Sequence, residues 1–189
     1  HPEIVCRLGW VVPWEGPVRL VQRLGRGQRE AVIHGAFAGR GCPGACTWCG
    51  GSGPGVRRST GRAETARRHP DRVAESVARL RAEWGIERFY FCFDPDPAVE
   101  EPTAALLAAL GRLRPRVRAD FEFFGLPSPE LCRLFRLALH HRSTVILSPE
   151  TADEALRRAH RAYPFSNAEF EDRLDWLDRL RTPTVLYFA

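Results

Sequence analysis

Residues 73–94 read VAESVARLRAEWGIERFYFCFD, and this stretch holds two periods in succession. Val73, Val77, Leu80 and Trp84 recur at helical spacing, and Gly85 is the stop that a helix C-terminus favours. RFYFCFD then packs apolar and aromatic residues densely up to Asp94, the pattern of a fully buried strand. A helix running through one glycine into a buried strand is half of a βαβ unit. The rest of the chain repeats the arrangement.

Downstream, Leu106, Leu110 and Leu113 mark a second helix, followed by VRADFEFF as a strand. Ser128 and Pro129 form an N-cap and first-turn pair opening a helix with Leu131, Leu134 and Phe135 on its apolar face. TVILSPE is the next strand. Thr151 with Glu154, and Ser166 with Glu169, have capping-box spacing and predict two further helix starts. Phe170, Leu174, Leu177 and Leu180 line the last helix, and TVLYF is a final strand. Upstream, AVIHGAF at 31–37 is a short buried-strand candidate, and the polar, turn-rich residues 50–70 predict a surface loop. Strands alternating with amphipathic helices predict an α/β fold with a parallel sheet and right-handed crossovers. Residues 1–30, with Gly and Pro at short intervals, predict an irregular lead-in or linker, and 31–189 one core domain.

All 28 basic residues are arginine, spread along the chain and often beside Asp or Glu. The net charge of +5 therefore reads as solvated helix faces, with no strong nucleic-acid signal. No apolar run approaches the length that crosses a bilayer, and the first residues lack a signal-peptide layout. The expected compartment is the cytoplasm, where thiols stay reduced, so a disulfide framework is not expected. The chain starts at His1, contains no methionine and stops in the apolar run TPTVLYFA. These features predict an internal piece of a longer protein.

In such folds reactive groups gather at the carboxyl ends of the strands. That rule places Asp94, Glu122, Ser148 and Glu150 on one rim with the loop after the first strand, GRGCPGACTWCGGSG at 39–53. Cys42, Cys46 and Cys49 in this loop restrict it to zinc or iron–sulfur chemistry. Structural zinc takes four protein ligands, and no histidine pair stands nearby at finger spacing. Three cysteines suit a 4Fe-4S cube with three irons held and one open. Cys6, Cys92 and Cys132 are expected to be small core residues.

The CxxxCxxC spacing, with Trp48 before the third cysteine and the motif directly after a first strand, resembles the radical S-adenosylmethionine (radical SAM) superfamily. The resemblance implies a partial (β/α) barrel, truncated at its C-terminus. It implies that Cys42, Cys46 and Cys49 hold a 4Fe-4S cluster whose open iron chelates S-adenosylmethionine. Reductive cleavage would then give a 5′-deoxyadenosyl radical. Trp48 matches an aromatic residue near the adenine, and Asp94 stands where many members carry a GGE-like motif, although no glycine pair is present. Ser148 and Glu150 match positions that contact the ribose or methionine part. A reductase or flavodoxin-like electron donor is the implied partner, and the substrate is unspecified.

CGGS, RRHPDRVAE and SPETADEALRRAHRAYPFSNAEFE resemble members that carry an upstream cobalamin-binding domain. That likeness makes cobalamin a further implied cofactor, held before His1, with methyl transfer among the reactions. It also marks Arg161 and Asn167 as family positions. The competing expectation is a non-catalytic zinc or iron–sulfur module contacting nucleic acid or a protein partner.

Overall fold

The structure is a computed structural model that describes residues 33–62, 64–91 and 98–188. Its elements, in chain order, begin with β1 (Ile33–Gly35), β2 (Gly39–Arg40), α1 (Gly53–Thr60), β3 (Ala66–Arg67), α2 (Pro70–Trp84) and β4 (Arg88–Phe91). They continue with α3 (Glu101–Gly111), β5 (Arg118–Phe123), α4 (Pro129–Ala138), β6 (Thr144–Glu150), α5 (Glu154–His160), α6 (Asn167–Arg179) and β7 (Thr184–Phe188). Strands β1, β4, β5, β6 and β7 form one parallel sheet in that spatial order, while β2 and β3 make a small antiparallel ribbon. Each main strand lies beside its predecessor with helices in the connections. The order has no reversal, so this is the progressing wall of a (β/α) barrel and not a doubly wound sheet.

One face of the sheet carries the core. Phe89, Phe91, Ala119, Phe121, Phe123, Val145 and Leu147 alternate along β4 to β6 and are buried against Val73 and Val77, Leu106, Leu107 and Leu110, Phe135, and Leu177. Phe121 stacks on Phe91 at 4.5 Å between ring centres and meets Phe135 edge-on. The opposite face is polar, which corrects the expectation that 88–94 is a fully buried strand. Within β4 only alternate residues are buried, and Arg88 and Tyr90 project to the other side. Arg88 pairs there with Asp120 at 2.6 Å. β1 is likewise less buried than expected, with Ile33 half-exposed at the edge of the described sheet.

Two local expectations are corrected. Residues 50–70 are not one loop, because α1 and β3 lie within them. Ser52 caps α1 by accepting from the Gly55 N–H, Pro54 sits in the first turn, and Gly61 closes it at φ 70°. No residue of α1 is buried, so it has no apolar period to betray it. The Thr151–Glu154 capping box is also absent. Asp153 is the cap, accepting from Ala155 and Leu156, while Glu154 accepts from the Asn167 N–H at 2.6 Å. A carboxylate one residue before the helix reaches both N–H groups and displaces the more distant hydroxyl. The Ser166–Glu169 box is present. Its bonds from the Ser166 backbone and hydroxyl hold the Glu169 carboxyl below its ordinary range.

Cys132 lies on α4 in the core, 1% exposed. Burial pushes its thiol up to about 11. Because the thiolate is the nucleophile, iodoacetamide at neutral pH is expected to label the exposed Cys49 and to leave Cys132 unmodified until the fold opens. Peptide mapping of native and denatured protein checks this; equal labelling of the two in the native state would contradict it. Cys6, Cys92, Asp94 and the lead-in at 1–30 lie outside the described residues. No helix among the described residues is long and apolar enough to cross a membrane.

Candidate cofactor site

The cysteine loop leaves the sheet after β1 and is shaped by close backbone packing. Gly41 has φ +80°, and a Cβ there would stand 2.5 Å from the Glu64 carbonyl oxygen, so only glycine fits. Gly44 is buried, and a Cβ on it would crowd Ala162 at 3.0 Å, Tyr163 at 3.1 Å and the Cys42 sulfur at 3.3 Å. Its N–H points at Cys42 Sγ, 3.4 Å away. The Gly53 N–H returns to the Gly44 carbonyl at 2.8 Å, which ties the loop to the start of α1. Cys42 and Cys46 are half-buried and Cys49 is exposed.

The loop docks on the segment between α5 and α6, more than a hundred residues further along. The Thr47 N–H donates to the His160 carbonyl at 3.0 Å, and Thr47 Oγ1 lies 3.0 Å from His160 Nδ1. The Trp48 ring, half-exposed, meets the His160 ring at 6.0 Å. The Ala162 N–H donates to Cys46 Sγ at 3.2 Å. Sequence reasoning missed His160 and Ala162 as parts of the site. Their signal lay in the AHRAYPFSN stretch, which carried a family likeness but no mechanism.

Arg157 stiffens the same connector. It is 1% exposed, and its guanidinium donates to the Phe165 carbonyl at 2.8 Å, the Thr151 carbonyl at 2.6 Å and Asn167 Oδ1 at 2.6 Å. Its guanidinium also covers the Phe165 ring at 4.7 Å. Asn167 donates in turn to the Ala152 carbonyl. Asn167 thus ties the start of α6 to α5 and to the loop before it.

The strand ends form a second polar group. Leu147 pairs with Leu186 and Glu150 with Phe188, so Ser148 and Pro149 together oppose Tyr187. This is a β-bulge, the place in a strand where a proline without an N–H is tolerated. Glu150 follows at φ 66°, a left-handed conformation that costs a non-glycine residue on the order of 1 kcal/mol. Ser148 Oγ donates to Glu122 Oε1 at 2.9 Å, and the Tyr90 hydroxyl donates to the other oxygen of Glu122. The buried Arg161 guanidinium donates to the carbonyls of Ser148 and Phe124 and lies 3.9 Å from Glu150. Burial draws the Arg161 pKa down, while the charges of Glu150 and Cys46 oppose that shift.

Of the residues expected on one rim, Glu122, Ser148 and Glu150 are joined through hydrogen bonds and Arg161. Arg161 and Ala162 connect them to Cys46. Trp48 stands on the loop against His160, and Asp94 lies outside the described residues. A cavity of about 360 Å³ opens elsewhere, under the helix-side rim of β4 and β5. It shares Glu122 with the polar group but contains none of the cysteines.

Among the described residues no three His, Cys, Asp or Glu side chains close around a single metal ion. A cube does not require that convergence, because each thiolate takes its own iron. Three thiols on a loop held open by Gly41 and Gly44, with N–H groups turned on two of the sulfurs, fit such a cluster.

The family model described as the radical SAM superfamily matches residues 37–187, well over half of the chain. No curated protein matches. Among solved structures, native anSMEcpe with bound AdoMet is similar with a TM-score of 0.56 at 16% identity. The likeness covers 82% of this chain and 44% of that one, and at such identity it speaks to the fold alone. The match takes in the cysteine loop, the strand-end rim and the connector that joins them, so the chain belongs to the radical SAM superfamily.

Proposed function

We propose that this domain is the core of a radical SAM enzyme, in which Cys42, Cys46 and Cys49 hold a 4Fe-4S cluster and leave one iron to S-adenosylmethionine. Family membership implies both groups. The observation that carries the reading is the docking of a three-cysteine loop beside the acidic strand ends, through Ala162 and Arg161. When bound, the pair supplies reductive cleavage of a carbon–sulfur bond in S-adenosylmethionine.

The chain's own residues bind and orient. Glu150, held in place by the bulge and by Arg161, offers a carboxylate suited to an ammonium group. The Ser148 hydroxyl, fixed by Glu122, suits a ribose hydroxyl. Trp48 offers a half-exposed aromatic face for a base. Asp94, which lies outside the described residues, is assigned to the cofactor by the family resemblance alone.

The proposal extends to the cobalamin-associated members on the strength of the stretches shared with them, with cobalamin held by an upstream domain and methyl transfer as one reaction. A reductase or flavodoxin-like donor and a cytoplasmic setting complete it, with 1–30 as linker and 31–189 as the core. Anaerobic reconstitution of the full-length protein is expected to load iron and sulfide. Dithionite with S-adenosylmethionine should then yield 5′-deoxyadenosine. Retained zinc, no cluster and salt-sensitive polyanion binding would instead support a non-catalytic metal module.

A further inference from the structure

We propose that the connector between α5 and α6 sets the reduction potential of the cluster: the Ala162 N–H, which donates to Cys46 Sγ, and the fixed guanidinium of the preceding Arg161 stabilise its reduced form. The inference rests on the cluster reading above and adds a role that the cysteine motif does not contain.

Reduction adds one electron to the cluster and no proton, so the reduced form is more negative by one charge. Donors and cations near the thiolates favour that form, and hydrogen bonds to cluster sulfurs are an established lever on its potential. Ala162 supplies such a bond to Cys46 Sγ at 3.2 Å. Arg161 is the preceding residue, and its guanidinium is held by the Ser148 and Phe124 carbonyls, so its charge cannot swing into solvent. It is buried, which strengthens its field. Its charge interacts with Cys46, with Glu150 and Glu122 of opposite sign, and with Arg157 of like sign. At an effective dielectric near 20, a unit charge within about 12 Å shifts a one-electron equilibrium about tenfold. Glu150, 3.9 Å from Arg161, works against that field.

The two residues therefore predict shifts of opposite direction, which a purely structural role does not. The test uses full-length, anaerobically reconstituted protein without S-adenosylmethionine, reduced by dithionite through mediators and followed by electron paramagnetic resonance. Arg161→Gln is expected to lower the reduced-to-oxidised ratio at a fixed potential about tenfold, which is about 59 mV for one electron. Arg161→Lys should stay within about threefold of wild type, because it keeps the charge. Glu150→Gln should raise the ratio several-fold.

Potentials of Arg161→Gln and Glu150→Gln within about twofold of wild type, or shifted in the same direction, overturn the inference. If Arg161→Gln does not fold, Glu150→Gln alone decides, and an unmoved potential is the overturning result. Failure of the wild-type protein to take up a cluster overturns the cluster reading itself, and this inference with it.

Discussion

Full-length protein carrying Cys46→Ala is expected to lose its cluster and to make no 5′-deoxyadenosine above background. The loss should exceed the roughly 10–100-fold that removal of an outer-shell partner causes. Cys46 is the middle cysteine of the three and the one whose sulfur accepts the Ala162 N–H. Alanine removes one iron ligand and leaves that amide facing a methyl group. The sheet should not notice, because Cys46 is no part of the buried core. Far-ultraviolet circular dichroism should therefore match wild type while iron content falls. A Cys46→Ala protein that still cleaves S-adenosylmethionine would end the proposed assignment of the motif. Cys132→Ala is the control: it empties a small core position and should leave iron loading intact.

Arg157→Ala is expected to give the largest loss of stability. The guanidinium makes three hydrogen bonds, each worth about 1.5 kcal/mol or more because the donor is charged. Losing a buried cation also relieves its desolvation, which offsets part of that sum. The net cost is about 3 kcal/mol, and a domain of this size melts about 2–4 °C lower per kcal/mol. A fall of about 10 °C in Tm is the expected result. The Phe165 and Thr151 carbonyls are then left without this donor, and the connector loosens where the cysteine loop rests. Cluster retention should fall with Tm. An unchanged Tm would show that the connector holds without its central arginine.

Much of the fold was legible because burial imposes a period. Val73 and Val77, Leu106 and Leu110, and Leu131 and Phe135 face the core at helical spacing, and Ser128 and Ser166 act as the caps their positions predict. Where burial plays no part, the signal is lost. α1 has no buried residue and is held by its caps and a backbone bond to the cysteine loop, so its polar sequence read as loop. β4 looked wholly buried because aromatic residues hid Arg88 and Tyr90, which belong to the polar inner face.

The cysteine motif was legible from its spacing, and the structure keeps Cys42, Cys46 and Cys49 on one loop after β1. Grouping Glu122, Ser148 and Glu150 followed from the rule that strand carboxyl ends share a rim. That rule says nothing of Arg161 and Ala162, because no local pattern reports a contact made across more than a hundred residues. Asp153 took the cap from Thr151 through the same kind of local competition that spacing alone does not rank.

The bond between Ala162 and Cys46 spans 116 residues, and that between Thr47 and His160 spans 113. Contacts of such separation form late, because loop closure must precede them. The cysteine loop follows β1 directly, yet the residues it rests on come only after β6 and at the end of α5. The shape of the loop is thereby tied to the late steps of folding: its own sequence brings three cysteines together, and only later elements supply the surface that fixes them.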